Sequence, residues 1–105
     1  MIKLTGTEKQ IAWAEKIRND FIADSKKWTD WWEADLAGCI EDGDTDGAEW
    51  TRERLENHVS LTTEILETIS RSGWWIDYGR TDCVTIHRKY SLCKRFPYGD
   101  DSNFT

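Results

Sequence analysis

The sequence contains no apolar run approaching the roughly 18 residues a membrane span needs, and Met1-Ile2-Lys3-Leu4 lacks the apolar core of a secretion signal. A water-soluble, intracellular protein is expected. Its three cysteines, Cys39, Cys83 and Cys93, are odd in number and widely spaced, which argues against a secreted disulfide framework. No C-x-x-C pair is present either. Cys83, His87 and Cys93, with Cys39 as a fourth ligand, make a conceivable zinc set, but without that pair the favoured reading is buried thiols and a surface histidine. No phosphate-cradling glycine loop appears, and no recognised motif holds a Ser or Cys nucleophile near a base. His58, beside Val59, reads as a packed or half-exposed helix residue, and His87 adjoins Arg88 and Lys89. Catalysis is not expected. The most informative absence is local: between Asp30 and Glu49 there is no Lys or Arg, while eight carboxylates are present.

What the chain does have is enough for one core. At 105 residues it has the size of a single domain, and seven Trp, three Tyr and three Phe supply large apolar bodies although 32% of residues are charged. No internal repeat or low-complexity linker divides it. The net charge of −6 is concentrated in the first half, where residues 1–50 hold twelve acids and six bases. An acidic surface repels phosphate, so direct nucleic-acid binding is not expected; cations or basic protein surfaces are the expected partners.

Thr7 followed by Gln10 has the pattern of a capping box, and the spacing of Ile11, Ala14, Ile17, Phe21 and Ile22, with Trp13 flanking, predicts a helix over about 8–23. Asp24-Ser25 then reads as the cap of a second helix over about 25–41, carrying Trp28, Trp31, Trp32, Leu36, Cys39 and Ile40. After Gly43 and Gly47 a third periodicity through Trp50, Leu55, Val59, Ile65 and Ile69 predicts a helix over about 48–71, ended by Gly73. Aromatic and β-branched residues flanking Gly79-Arg80-Thr81-Asp82 predict a β-hairpin over about 74–88; the competing reading is a short helical turn at Trp74–Tyr78. An irregular tail is expected over 96–105. The predicted fold is α+β and mostly helical, with three antiparallel helices and a small C-terminal hairpin.

Within the acidic stretch, Asp42, Asp44, Asp46, Gly47 and Glu53 fall at positions 1, 3, 5, 6 and 12 of an EF-hand loop, the spacing that wraps carboxylates around calcium. Position 8, normally aliphatic, is Glu49, and the chain contains no second loop. The competing reading is an acidic interhelical turn in which Asp46 caps the following helix. Adjacent tryptophans cannot both point inward, so at least one of Trp31 and Trp32, and one of Trp74 and Trp75, is expected at the surface. An exposed Trp ringed by carboxylates suits an interface with a basic partner.

The segment Leu4-Thr5-Gly6-Thr7-Glu8-Lys9-Gln10-Ile11-Ala12-Trp13-Ala14-Glu15-Lys16-Ile17-Arg18, with the later Trp74-Trp75-Ile76-Asp77, resembles an N-terminal motif and a second short element of small uncharacterised proteins from phages and other bacterial mobile elements. The resemblance covers about 15 residues and the short second element, and it carries no activity. It implies a place among small acidic proteins that inhibit host defence enzymes, anti-CRISPR proteins among them, and hence the cytoplasm of a bacterial host. The resulting expectation is a non-enzymatic acidic module that covers a basic nucleic-acid groove on a host enzyme. Its partner-binding face is Asp30, Trp31, Trp32, Glu33, Asp35, Glu41, Asp42, Asp44, Asp46 and Glu49. The alternatives are a calcium module ligated by Asp42, Asp44, Asp46 and Glu53, and a phage accessory protein that oligomerises or scaffolds.

Overall fold

The computed structural model describes residues 1–95 and residue 104. Among these the chain is all-helical: α1 (Glu8–Glu41), α2 (Thr45–Thr68), α3 (Ser72–Tyr78) and α4 (Cys83–Arg95). The expected α+β fold is overturned. There is no strand among the described residues, and the extended pairing present is an isolated parallel bridge between Thr5 and Arg71.

The Thr7 capping box forms as the sequence predicts. Thr7 Oγ1 accepts the Gln10 N–H at 3.2 Å, and Gln10 Oε1 accepts the Thr7 N–H at 2.9 Å. Gly6 enters this turn at φ 136°, a conformation that disfavours any side chain.

The predicted break at Asp24-Ser25 does not occur, and the first two predicted helices are one helix of 34 residues. The two side chains taken for caps serve distant partners instead. Ser25 is buried, with Oγ 2.8 Å from Thr62 Oγ1, while Asp24 accepts the Cys83 backbone N–H at 2.7 Å and so caps α4. With its local backbone free of that competition, α1 runs through.

Gly43, at φ 72°, turns the chain back. Asp44, not Asp46, caps α2, its Oδ1 accepting the Gly47 N–H at 2.9 Å. α1 and α2 lie antiparallel, since Asp35 meets Thr51 and Ser25 meets Thr62.

α2 stops at Thr68, earlier than predicted, because the backbone after it pairs with the N-terminal segment. Thr5 N–H donates to the Ser70 carbonyl at 2.7 Å, Ser72 N–H to the Thr5 carbonyl at 3.0 Å, and Ile69 is extended at ψ 96°. Gly73, read as a helix end, lies inside α3.

The segment read as a hairpin forms α3 and the beginning of α4, so the competing helical reading of Trp74–Tyr78 is the correct one. Asp82 starts α4, Oδ1 accepting the Thr85 N–H at 2.7 Å. Trp74 and Trp75 are both buried, against the expectation for adjacent residues. α3 is short enough to be covered on both sides: Trp75 faces Phe21 on α1 at 5.5 Å, and Trp74 faces Phe104 at 6.1 Å. The rest of the tail expected over 96–105 lies outside the described residues.

The core cluster joins Leu4, Ala14, Ile17, Phe21, Ile65, Ile69, Trp74, Trp75, Cys83, Ile86 and Tyr90. It sits at one end of the α1–α2 pair. From Lys26 on α1 to Asn57 on α2 the buried residues are Ala48 and Thr51, so this half of the pair extends beyond the core as a two-helix arm. At 1.5 Å per residue the Lys26–Glu41 part of α1 projects about 24 Å. The molecule measures 52 × 28 × 19 Å, elongated along this arm. No described helix is long and apolar enough to cross a membrane.

Candidate functional site

Two groups of residues have chemistry beyond packing: the surface of the arm, and a polar cluster at the arm's root.

On the arm, Trp28, Trp31, Trp32 and Trp50 form a continuous edge-to-face series. Ring centroids are 6.1 Å apart for Trp28–Trp31, 4.7 Å for Trp31–Trp32 and 5.9 Å for Trp32–Trp50 across the two helices. Helical spacing explains the first contact, because residues three apart share a face. The Trp31–Trp32 contact needs the second ring to lean toward α2, where Trp32 is half-buried. Trp31 and Trp50 remain 55% and 53% exposed, which leaves indole faces in water without a core beneath them. The Arg54 guanidinium lies over the Trp50 ring at 5.0 Å. Asp24, Lys27, Trp28 and Trp31 line an open depression beside the series.

The eight carboxylates from Asp30 to Glu49 are all exposed, yet they differ in their engagements. Asp35 accepts the Thr51 hydroxyl at 2.9 Å and fastens the arm, and Asp44 caps α2. Asp30 pairs with Lys26 at 2.9 Å. Folding also brings Arg52 and Arg54 of α2 alongside, so the stretch that lacks bases in sequence is not base-free in space. Ten carboxylates against two arginines over residues 28–56 still leave the arm strongly anionic.

The four residues with calcium-loop spacing do not converge on one point. α2 begins at Thr45, which would be position 4 of the loop, so no loop remains to wrap an ion. Asp46 and Glu53 both project from α2, about 10 Å apart along its axis. Among the described residues the potential metal ligands that do converge are His58, Cys83 and His87, with ligand atoms within 4.8 Å of one another.

This cluster links three helices. His58 and Thr62 come from α2, Cys83 and His87 from α4, and Ser25 from α1. His87 Nε2 lies 2.9 Å from Thr62 Oγ1 and 3.6 Å from Cys83 Sγ. His58 Nε2 lies 3.0 Å from the Ser25 carbonyl oxygen and 3.1 Å from Ser25 Oγ. A carbonyl can only accept, so His58 carries its proton on Nε2 and donates it there. The imidazoles stand 5.0 Å apart, with Phe21 edge-on to His87 at 5.8 Å. Of the four residues that make a conceivable zinc set in the sequence, Cys83 and His87 do meet, with His87 half-buried and not at the surface; Cys39 lies on the arm, and Cys93 is about 15 Å further along α4.

Burial controls the charge state of this cluster. It holds His87 down at about 4, helped by the neighbouring His58, and pushes the Cys83 thiol up to about 11. A thiol pushed up this way stays protonated and neutral near pH 7.

The same shift makes stability depend on pH. His87 is neutral in the folded chain but protonates near its ordinary 6.5 when unfolded, so the unfolded state takes up more protons between 6.5 and about 4. Stability from this source is therefore full above 6.5 and lost as pH falls toward about 4. In chelator-containing buffer, the urea midpoint of the wild type should drop between about pH 7 and about pH 5, and that of His87→Gln should drop less. Equal slopes in both proteins would contradict the assignment.

Sequence reading missed His58 as the third member of this group. The available signal was Cys83-x-x-x-His87, whose members are one helical turn apart; read as a strand, the same residues stand about 13 Å apart. No protein-family model, curated protein or solved structure matches this chain.

Proposed function

We propose that this protein is a non-enzymatic binding module whose arm grips a basic protein surface. The observation that carries this reading is the arm: two helices extended beyond the core, with a tryptophan series in water among carboxylates. Large exposed indoles need a partner to bury them, and Trp is the side chain most often responsible for interface affinity. The surrounding charge selects that partner's sign. It also disfavours a second copy of the chain, which would bring two acidic arms together. That argument weighs against the oligomerising scaffold.

The finer proposal is that the partner is a host nucleic-acid-handling enzyme. The carboxylates would cover its phosphate-binding groove, and the tryptophans would supply apolar anchoring. An inhibitor of host defence from a mobile element, similar in role to anti-CRISPR proteins, acts in this way, and the resemblance of residues 4–18 to mobile-element proteins supports that setting. The bacterial cytoplasm is the compartment such a target implies.

Capture from bacterial lysate on the immobilised chain tests the reading. A bound protein should elute as salt rises, be displaced by added DNA or RNA, and fail to bind when Glu41, Asp42, Asp46 and Glu49 are changed to their amides. These four are chosen because no side chain among them caps a helix or fastens the arm; Asp42 ends α1 through its backbone N–H, which the amide keeps. Retention of the partner by the neutralised variant, or indifference to salt and nucleic acid, would reject groove coverage, as would repeated failure to capture any partner.

A further inference from the structure

We infer that His58, Cys83 and His87 form a binding site for one zinc-class metal ion at the junction of α1, α2 and α4. The site is independent of the acidic arm and of any calcium loop.

The geometry is close to what a tetrahedral ion requires. With zinc–sulfur near 2.3 Å and zinc–nitrogen near 2.0–2.1 Å, a bound sulfur and nitrogen stand about 3.6 Å apart. Cys83 Sγ and His87 Nε2 are already separated by 3.6 Å. Their one-turn spacing places both side chains on one face of a single helix, within reach of one ion. His58 approaches from α2, its ligand atom within 4.8 Å of both, so a small inward swing of one ring closes a three-ligand set.

The surroundings suit a metal as well. Ser25 Oγ and Thr62 Oγ1, 2.8 Å apart, lie beside the imidazoles and offer a hydroxyl for the fourth position or hydrogen bonds to a water that takes it. Two imidazoles and a thiol are borderline-to-soft donors, and no carboxylate belongs to the set, so calcium and magnesium are disfavoured. Asp24, held at 2.7 Å on the Cys83 backbone N–H, places a negative charge nearby. Together with the Cys83 thiolate it balances a divalent cation. On binding, the Cys83 thiol gives its proton to solvent and the sulfur lone pair goes to the metal, while His58 moves its proton to Nδ1 if Nε2 is the ligating atom. The ion would tie α4 to α2 at the root of the arm, bracing the arm's attachment.

Cobalt(II) titration of the reduced, metal-stripped chain tests the site. A thiolate-to-cobalt charge-transfer band and strong tetrahedral ligand-field absorption should saturate at one equivalent and disappear when zinc is added in slight excess. Cys83→Ser should abolish the charge-transfer band, and His58→Gln should weaken apparent affinity at least about tenfold. Cys39→Ser and Cys93→Ser should leave both unchanged. Zinc should also raise the melting temperature of the wild type, reversibly with chelator, which keeps the test decisive if Cys83→Ser fails to fold. Absence of the charge-transfer band in the wild type, its persistence in Cys83→Ser, or a melting temperature indifferent to zinc would overturn the proposal in favour of a closed hydrogen-bond network alone.

Discussion

Trp75→Ala is expected to destabilise the fold by about 3–5 kcal/mol, a large share of the roughly 5–15 kcal/mol typical of a domain. Trp75 is fully buried, and its ring meets Phe21 at 5.5 Å and Trp74 at 5.7 Å. Its indole N–H donates to the Ile69 carbonyl at 3.2 Å, at the point where the chain leaves α2. Truncation removes the packing and this donor together. The surroundings cannot readily close on the gap, because Gly79 is already packed tightly there: a Cβ on it would lie 2.6 Å from the Trp75 carbonyl oxygen and 2.8 Å from Ile17. Urea unfolding followed by far-ultraviolet circular dichroism measures the loss, with Trp75→Phe expected to recover part of it. A loss under about 1 kcal/mol, the mean for an ordinary substitution, would show that α3 is not the keystone of the core.

The opposite result is expected at the other tryptophans. Trp31→Ala combined with Trp50→Ala should shift stability by little more than about 1 kcal/mol, since both rings are mostly in water. The Arg54 contact over Trp50 adds about 0.5–1 kcal/mol at an exposed site. Yet binding of the double variant to the partner captured by the wild-type arm should weaken at least about 30-fold, the equivalent of one interface hot spot. Titration of the purified partner against both proteins checks this. Unchanged affinity would remove the tryptophan series from the interface. A large fall in stability would instead make the series a structural brace of the arm.

The contrast between the two tryptophan groups marks where sequence reading stops. Trp31-Trp32 and Trp74-Trp75 look alike as adjacent aromatic pairs, and periodicity alone leaves one of each pair outside. What separates them is coverage: Phe104, some thirty residues away in sequence, lies over Trp74, whereas among the described residues Trp31 meets the rings of Trp28 and Trp32 on its own helix and stays mostly in water. Asp24 and Ser25 show the same limit. Their identity as capping residues was legible, and Asp24 does cap a helix, but that helix is α4, 59 residues later. The Gly79-Arg80-Thr81-Asp82 link looked like a hairpin turn because β-branched and aromatic neighbours carry a weak strand preference that packing readily overrides. That one misreading also hid the one-turn relation of Cys83 and His87.

The sequence by itself determined the features set by near neighbours. These are the Thr7–Gln10 capping box, the helical character of residues 8–68 apart from the turn at Gly43, and a run of exposed acids that no lysine interrupts. Each depends on hydrogen bonds or charges within about one helical turn, so local residue order suffices. The tertiary structure alone decided that the first helix would not break, that α2 would stop at Thr68 against the Thr5 backbone, and that His58 would meet Cys83 and His87. It also decided that half of the α1–α2 pair would extend beyond the core with its tryptophans in water. Those outcomes depend on burial and on hydrogen bonds between residues 25 or more apart, where the partner of a side chain is chosen by packing rather than by spacing.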